Sequence, residues 1–251
     1  MKRSLSFLSL LLSCSLVAAP ALADCRHLPD HAALTAALKA SVKPSGGVSN
    51  GGLDLNMWAT IVDRNGTVCA VAFSGDNYGD QWLGSRVISA QKANTANAFS
   101  LNGLALATGN LFTAVQPGNS LFGLQASNPV NATAAYAGQA KQFGTAKDPM
   151  VGKRIGGVNV FGGGLGLYNA KGLEGGLGVS GDTSCADHNV AWRVRQALGL
   201  DKVTNGVSPN KDDGIIYDIA DGKSKSGFGH PTCGGKEAAV AVDIKAGSIA
   251  E

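Results

Sequence analysis

Apolar and polar positions along this chain change period several times, and each change marks an element. From Asp30 to about Lys43, Ala33, Ala37 and Ala40 fall on one helical face with Leu34 and Leu38 beside them. Asp30 stands after Pro29 as a cap. Pro44-Ser45-Gly46-Gly47 ends that pattern. Leu55–Asp63 and Thr67–Ser74 read as strands joined by the turn Arg64-Asn65-Gly66. Ser85 is placed to cap a helix running to Phe99, whose Val87, Ala90, Ala93 and Ala96 are small enough for close packing on a sheet. A second hairpin follows at Val158–Tyr168 and Leu173–Ser180, turning at Asn169-Ala170-Lys171-Gly172. The last clear helix is Cys185–Leu198, with Asp182 or Ser184 as cap and Gly199 as terminator.

Between and beyond these elements lie two less regular stretches. Residues 100–155 carry two short helical turns, Leu104–Thr108 and Leu111–Val115. A long loop over about 115–155 follows, punctuated by Pro117, Asn128-Pro129 and Asp148-Pro149. Residues 201–251 are polar and glycine-rich, with one apolar run, Ala238–Ile244, that reads as an edge strand. Helix–hairpin–helix–hairpin–helix is not the alternation of a parallel sheet. It predicts an α+β fold in which helices flank an antiparallel sheet.

The N-terminus adds an address. Lys2 and Arg3 precede an apolar run from Leu5 to Val17 and a small-x-small site at Ala21-Leu22-Ala23, the three parts of a secretory signal. The run is shorter than the roughly 20 apolar residues that cross a bilayer. Residues 1–23 are therefore expected to be cleaved, leaving a chain that starts at Asp24 in the periplasm or outside the cell, with no transmembrane segment. A lipidation box at Leu11-Leu12-Ser13-Cys14 would leave the better cleavage site unused.

Four cysteines remain: Cys25, Cys69, Cys185 and Cys233. Export makes two disulfides the expectation, and four cysteines allow three pairings. If the first helix runs antiparallel to the first strand, its start lies near the start of the second strand. That favours Cys25–Cys69 and Cys185–Cys233. No Cys-x-x-Cys or Cys-x-x-Cys-His string is present, which removes a redox motif and covalent haem attachment. The chain has 21 basic and 18 acidic residues, and two of the basic ones are in the signal. A nearly neutral chain without basic runs is no candidate for nucleic acid.

Candidate chemistry is sparse. Gly176-Leu177-Gly178-Val179-Ser180-Gly181 matches the dinucleotide fingerprint between a strand and a helix. Its strand belongs to a hairpin, however, so a nucleotide site is not expected. Glycine approach and the free N–H groups at the start of the next helix would suit an anion. Gly178-Val179-Ser180-Gly181-Asp182 misses the serine-hydrolase elbow by its last residue. Of the four histidines, His27 and His31 are separated by Pro29, His188 lies in the last helix one turn before Trp192, and His230 sits in a tail that reads as exposed. Lys92, on an alanine-rich helix, reads as solvated or snorkelling.

The string Ser85-Arg86-Val87-Ile88-Ser89-Ala90-Gln91-Lys92-Ala93-Asn94-Thr95-Ala96 resembles the Lys-Ala-x-Thr-Ala helix of the GlcG/HbpS haem-binding-like family. Gly162-Gly163-Gly164-Leu165 and Leu177-Gly178-Val179-Ser180-Gly181 resemble its glycine-rich strand and Gly-Val-Ser-Gly segment, with Asp187-His188 in its Asp-containing helix. Val62-Asp63-Arg64-Asn65-Gly66 stands for its Val-Asp-x-x-Gly turn. The likeness covers about residues 30–199 and implies a profilin-like fold over 24–200; the loop insertion at about 115–155 and the C-terminal extension over 201–251, expected to pack on it, depart from the shorter family pattern. It also implies a homo-oligomer and non-covalent binding of haem or a related planar anion. Lys92, Gly178, Gly181, Asp187 and His188 are then the expected ligand-binding residues, and His188 and His31 the expected iron ligands. It names no catalytic residue. The alternative is an enzyme or accessory factor acting on a small organic acid, with Lys92 and Asp187 as charge partner and acid/base.

Overall fold

A computed structural model of the protein describes residues 25–44 and 49–249. The expected signal segment and its cleavage site lie outside the described residues.

Helix α1 (His31–Val42) starts where Asp30 Oδ1 accepts the Ala33 N–H at 2.9 Å, a side-chain cap. Leu34, Leu38 and Val42, four residues apart, are buried with Ala37. Strands β1 (Trp58–Asp63) and β2 (Val68–Phe73) form the first hairpin. Asp63 sets its turn, because Oδ1 accepts from the backbone N–H of Asn65 and of Thr67, both at 2.9 Å. Helix α2 (Gly84–Phe99) follows, then β3 (Gly164–Asn169), β4 (Gly172–Ser180) and α5 (Ser184–Ala197). Between α2 and β3 lie the one-turn helices α3 (Leu124–Ser127) and α4 (Ala132–Ala135).

The strands form one antiparallel sheet in the order β2-β1-β4-β3, the expected α+β architecture. Strand periodicity divides its two faces. Ala59, Ile61, Leu165, Leu177 and Val179 face one core with Leu34 and Leu38 of α1 and Val190 and Val194 of α5. Trp58, Val62, Val68 and Val71 face a second core with Val87, Ala90 and Ala93 of α2. Gly176 and Gly178 alternate with Leu177 and Val179, so they fall on the α2 face. A Cβ at Gly178 would come within 1.9 Å of the Ser89 carbonyl oxygen, and one at Gly176 within 2.2 Å of that of Ala93. These glycines let a helix lie directly on the strand. The fingerprint-like string is a packing device, which is why it occurs in a hairpin.

The extension departs from its sequence reading. Ala238–Ile244 is not a strand: Glu237–Asp243 form helix α6, which connects β5 (Ile215–Tyr217) to β8 (Gly247–Ile249) as a parallel pair. The short strands β6 (Ile219–Ala220) and β7 (Lys223–Ser224) make a separate hairpin. The second sheet hairpin also begins later than its apolar run, at Gly164, because residues 158–163 run past α2 and the start of α5.

Among the described residues, two disulfides form with the expected pairings, Cys25–Cys69 and Cys185–Cys233. Buried Arg–Asp pairs add two more fastenings. Arg86 of α2 holds Asp148 of the insertion, with Nε donating to Oδ2 at 2.8 Å, and Arg195 of α5 holds Asp213 of the extension. No helix among the described residues is long and apolar enough to cross a membrane.

Candidate functional site

The start of α5 and the middle of α2 meet at one end of β4. Thr183 caps α5 by accepting the Ala186 N–H, so neither expected cap residue fills that role. Asp182 instead ties down the segment leading to β1, accepting from Leu53 N–H at 2.9 Å, and also accepts from Thr183 N–H at 2.6 Å. Asp187, in the first turn of α5, then points across to Lys92. The ammonium donates to Asp187 Oδ2 at 2.6 Å and to the Val179 carbonyl oxygen at 3.1 Å. Asp187 Oδ1 accepts the Asp182 N–H at 2.8 Å.

Lys92 and Asp187 are 1% and 2% exposed. The solvated lysine expected from sequence is wrong: α2 lies flat on glycines, so its long side chain runs under α5. Burial, opposed by Lys92, pushes the Asp187 carboxyl up to about 6. Burial also lowers Lys92, opposed by Asp187. Desolvation thus moves both partners toward neutrality while each holds the other charged.

A cleft of about 320 Å³ opens over this pair, lined by Trp82, Ser85, Ile88, Phe161, Ser180, Asp182 and Ser184 as well. Trp82 and Phe161 are 56% and 46% exposed. The cleft thus sets two exposed rings beside a buried cation.

The other expected ligand residues lie elsewhere in structure or role. Gly178 faces Ser89, as above. A Cβ at Gly181 would come within 2.5 Å of the Asn56 carbonyl oxygen, so this glycine packs on the entry to β1. His188 is fully buried on the side of α5 facing the extension, its Nε2 3.0 Å from the Ala246 carbonyl oxygen. A carbonyl only accepts, so Nε2 carries the proton there. Burial pushes His188 down to about 4. His31 lies at the start of α1, its Nε2 2.9 Å from the Gly144 carbonyl oxygen, beside a different hollow bounded by Cys25 and Cys69. The two expected iron ligands therefore neither meet nor line the cleft. The extension closes over one and the insertion bonds the other.

His230 corrects the sequence reading in the opposite direction. It is buried, with Nδ1 2.7 Å from the Pro231 carbonyl oxygen and Nε2 2.8 Å from Ser184 Oγ. Among the described residues, the two clusters with metal-ligand spacing are Cys185/His230/Cys233 and Cys25/Asp63/Cys69. Each contains a disulfide whose sulfurs are already spent on one another.

The model of a family described as haem-degrading protein HbpS-like matches residues 49–195, more than half of the chain. The chain belongs to the HbpS-like family. The match takes in the whole four-stranded sheet, α2 and nearly all of α5, and leaves α1 and the extension outside. Two solved structures are similar to this HbpS-like chain. One is the Klebsiella pneumoniae protein ORFY, 22% identical, with 68% of this chain and 90% of that one covered and a TM-score of 0.45. The other is a PduOC–haem complex, 27% identical, with 67% and 91% covered and a TM-score of 0.46. No curated protein matches the chain.

Proposed function

We propose that this is an exported binding protein whose cleft takes haem, or a closely related planar anion, without a covalent bond. The observation that carries the reading is the cleft itself: a buried ammonium on the floor, two exposed aromatic rings on the rim, and a family described by its action on haem. These residues fit part of the haem group. Lys92 suits a propionate, and Trp82 and Phe161 suit the face of the ring. They do not supply histidine ligation to iron, since His188 and His31 are committed elsewhere. A cleft of this size, near the lower end for small-molecule sites, admits an edge of the macrocycle and leaves the remainder outside. A homo-oligomer is part of the same reading, with a second copy covering what one cleft leaves exposed.

Titration of the mature protein with haemin tests it. A saturable, one-to-one change in the Soret band is expected. Trp82→Ala and Phe161→Ala should each weaken it about fivefold, the weight of one aromatic contact near 1 kcal/mol. His188→Ala and His31→Ala should leave the band in place. A change no larger than that of an unrelated protein, insensitive to the rim substitutions, would end the proposal. Intact mass of exported protein beginning at Asp24, and light scattering for its assembly, test the remainder.

One observation favours a second reading. A carboxyl pushed up to about 6 is poised for acid–base work near neutral pH. In that reading Lys92 holds the carboxylate of a small organic acid and Asp187 moves a proton on it. Deuterium uptake from solvent into such an acid, lost in Asp187→Asn, would support this reading over haem binding.

A further inference from the structure

His230 lies outside the stretch that the family model matches, yet it reaches the wall of the cleft. The extension brings it there by a series of fixed contacts. Thr113 Oγ1 donates to the Gly229 carbonyl oxygen at 2.6 Å, and His230 N–H donates to that of Ile216 at 2.7 Å. Cys233 is bonded to Cys185, the residue next to Ser184. The imidazole sits 5.0 Å from the Phe112 ring, centroid to centroid.

The proton positions follow from the partners. Nδ1 faces the Pro231 carbonyl oxygen, which only accepts, so Nδ1 bears the hydrogen. Burial, with Lys92's charge adding to it, pushes His230 down to about 4, so the ring is neutral and Nε2 is bare. At 2.8 Å, Ser184 Oγ–H therefore donates to Nε2. Gly162 N–H donates to the same Oγ at 2.7 Å and fixes its rotamer. A hydroxyl bonded to an imidazole whose tautomer is held from behind is the geometry of an activated nucleophile. A backbone carbonyl stands here where an aspartate usually stands.

We infer that Ser184 and His230 form a nucleophile–base pair that hydrolyses small carboxylic esters bearing a second, negatively charged group. Ser184 Oγ attacks the ester carbonyl carbon, forming an O–C bond, while its proton passes to His230 Nε2. The carbon–oxygen bond to the alcohol then breaks, and that oxygen takes the proton from Nε2. Water attacks the acyl-serine, giving one proton to Nε2, which returns it to Ser184 Oγ as the carboxylic acid leaves. The sum is ester plus water to acid plus alcohol. Lys92, on the same cleft, draws the anionic acyl group in. The cleft volume of about 320 Å³ limits the acyl part to a few carbons.

The test uses the full mature chain with both disulfides formed. Incubation with an alkyl fluorophosphonate should add one phosphonyl group, mapped by peptide mass to Ser184. The p-nitrophenyl monoester of succinate should be hydrolysed faster than p-nitrophenyl acetate. Ser184→Ala should abolish the adduct, and His230→Gln should slow both reactions about tenfold, less than the usual weight of general-base help because the ring is held near 4. Circular dichroism and melting separate that loss from misfolding, since His230 is buried. Ser184→Cys gives a second arm: iodoacetamide should alkylate this thiol faster than free cysteine, and His230→Gln in that background should remove the gain. An unmodified Ser184 with ester hydrolysis unchanged in Ser184→Ala would overturn the inference. This outcome is independent of whether haemin binds.

Discussion

The two ends of α5 each hold a buried ion pair, and the pairs are built for different purposes. At the C-terminal end, Arg195 meets Asp213 through two parallel bonds, Nη1 to Oδ2 at 2.6 Å and Nη2 to Oδ1 at 2.7 Å, and Nη1 also reaches the Gly166 carbonyl oxygen at 3.1 Å. The guanidinium lies over Trp192, 4.6 Å from the ring centre. At the N-terminal end, Lys92 meets Asp187 through one bond beneath an open cleft. A guanidinium keeps its proton in any protein setting, whereas a buried ammonium can shed its own. The first pair is a fixed joint between core and extension. The second can change charge, which a ligand or a proton can exploit.

The sharpest way to break this contrast is to neutralise the aspartate at each end. Asp213→Asn leaves Arg195 charged and buried without a counter-ion. A loss of about 3–5 kcal/mol in urea unfolding is expected, with the extension the first segment cut by protease. A loss below 1 kcal/mol would mean that Arg195 finds another partner and the joint is not fixed. The disulfide at the other end is next in size. Cys185→Ala with Cys233→Ala opens a loop of sequence separation 48 and should cost about 2–4 kcal/mol. It should also detach His230 from Ser184, which tryptic mapping of residues 225–236 would register as faster cleavage.

Much of this architecture is written in local patterns. Asp30 before an alanine–leucine face, Asp63 ahead of Asn65-Gly66, and Gly176 and Gly178 alternating with Leu177 and Val179 each specify an element through near neighbours. The site is less legible because its geometry depends on distant segments. Lys92 looks solvated until the glycines of β4 are seen to lower α2 onto the sheet and slide its side chain under α5. His188 looks available until Ala246, 58 residues on, accepts from it. Ala238–Ile244 has the apolar content of a strand, but it lies in the crossover between two parallel strands, a connection usually made through a helix. One signal for His230 was present in the chain. Pairing Cys185 with Cys233 places the neighbours of each beside one another, and His230 and Ser184 are among them. The aromatic rim carries no such signal, since an isolated Trp82 or Phe161 reads as an ordinary surface ring.

Between the two ends of α5 sits His188, and with His230 it sets a pH limit. Both are held near 4 against a usual 6.5. In the window from 6.5 down to 4 the unfolded chain binds protons that the folded chain refuses. Stability from these groups is therefore full above 6.5 and lost as pH falls toward 4, by roughly 2–3 kcal/mol for each. Asp187, raised to about 6, acts with the opposite sign between 3.8 and 6, because its folded form holds the proton more tightly, and it offsets part of that loss. Melting temperatures from pH 7 to 4 should fall, and His188→Gln should flatten the decline. An unchanged slope in that variant would show that the ring is not held neutral.

The smallest expected effect on stability is the most informative for the cleft. Asp187→Asn keeps the shape of the side chain and an acceptor for the Asp182 N–H, while Lys92, already lowered by burial, loses its proton rather than remain charged and alone. The expected cost is about 1 kcal/mol, well short of that at Asp213, because the lysine can do what the arginine cannot. The consequence for binding is larger. In the parent protein, Asp187 gains a proton as pH falls through about 6, and a ligand carboxylate can then take its place as the counter-ion that keeps Lys92 charged. Haemin affinity measured from pH 8 to pH 5.5 should rise severalfold across that step, and in Asp187→Asn the step should vanish. If Asp187→Asn instead costs as much as Asp213→Asn, Lys92 holds its proton as firmly as Arg195. The two ends of α5 would then be the same kind of joint.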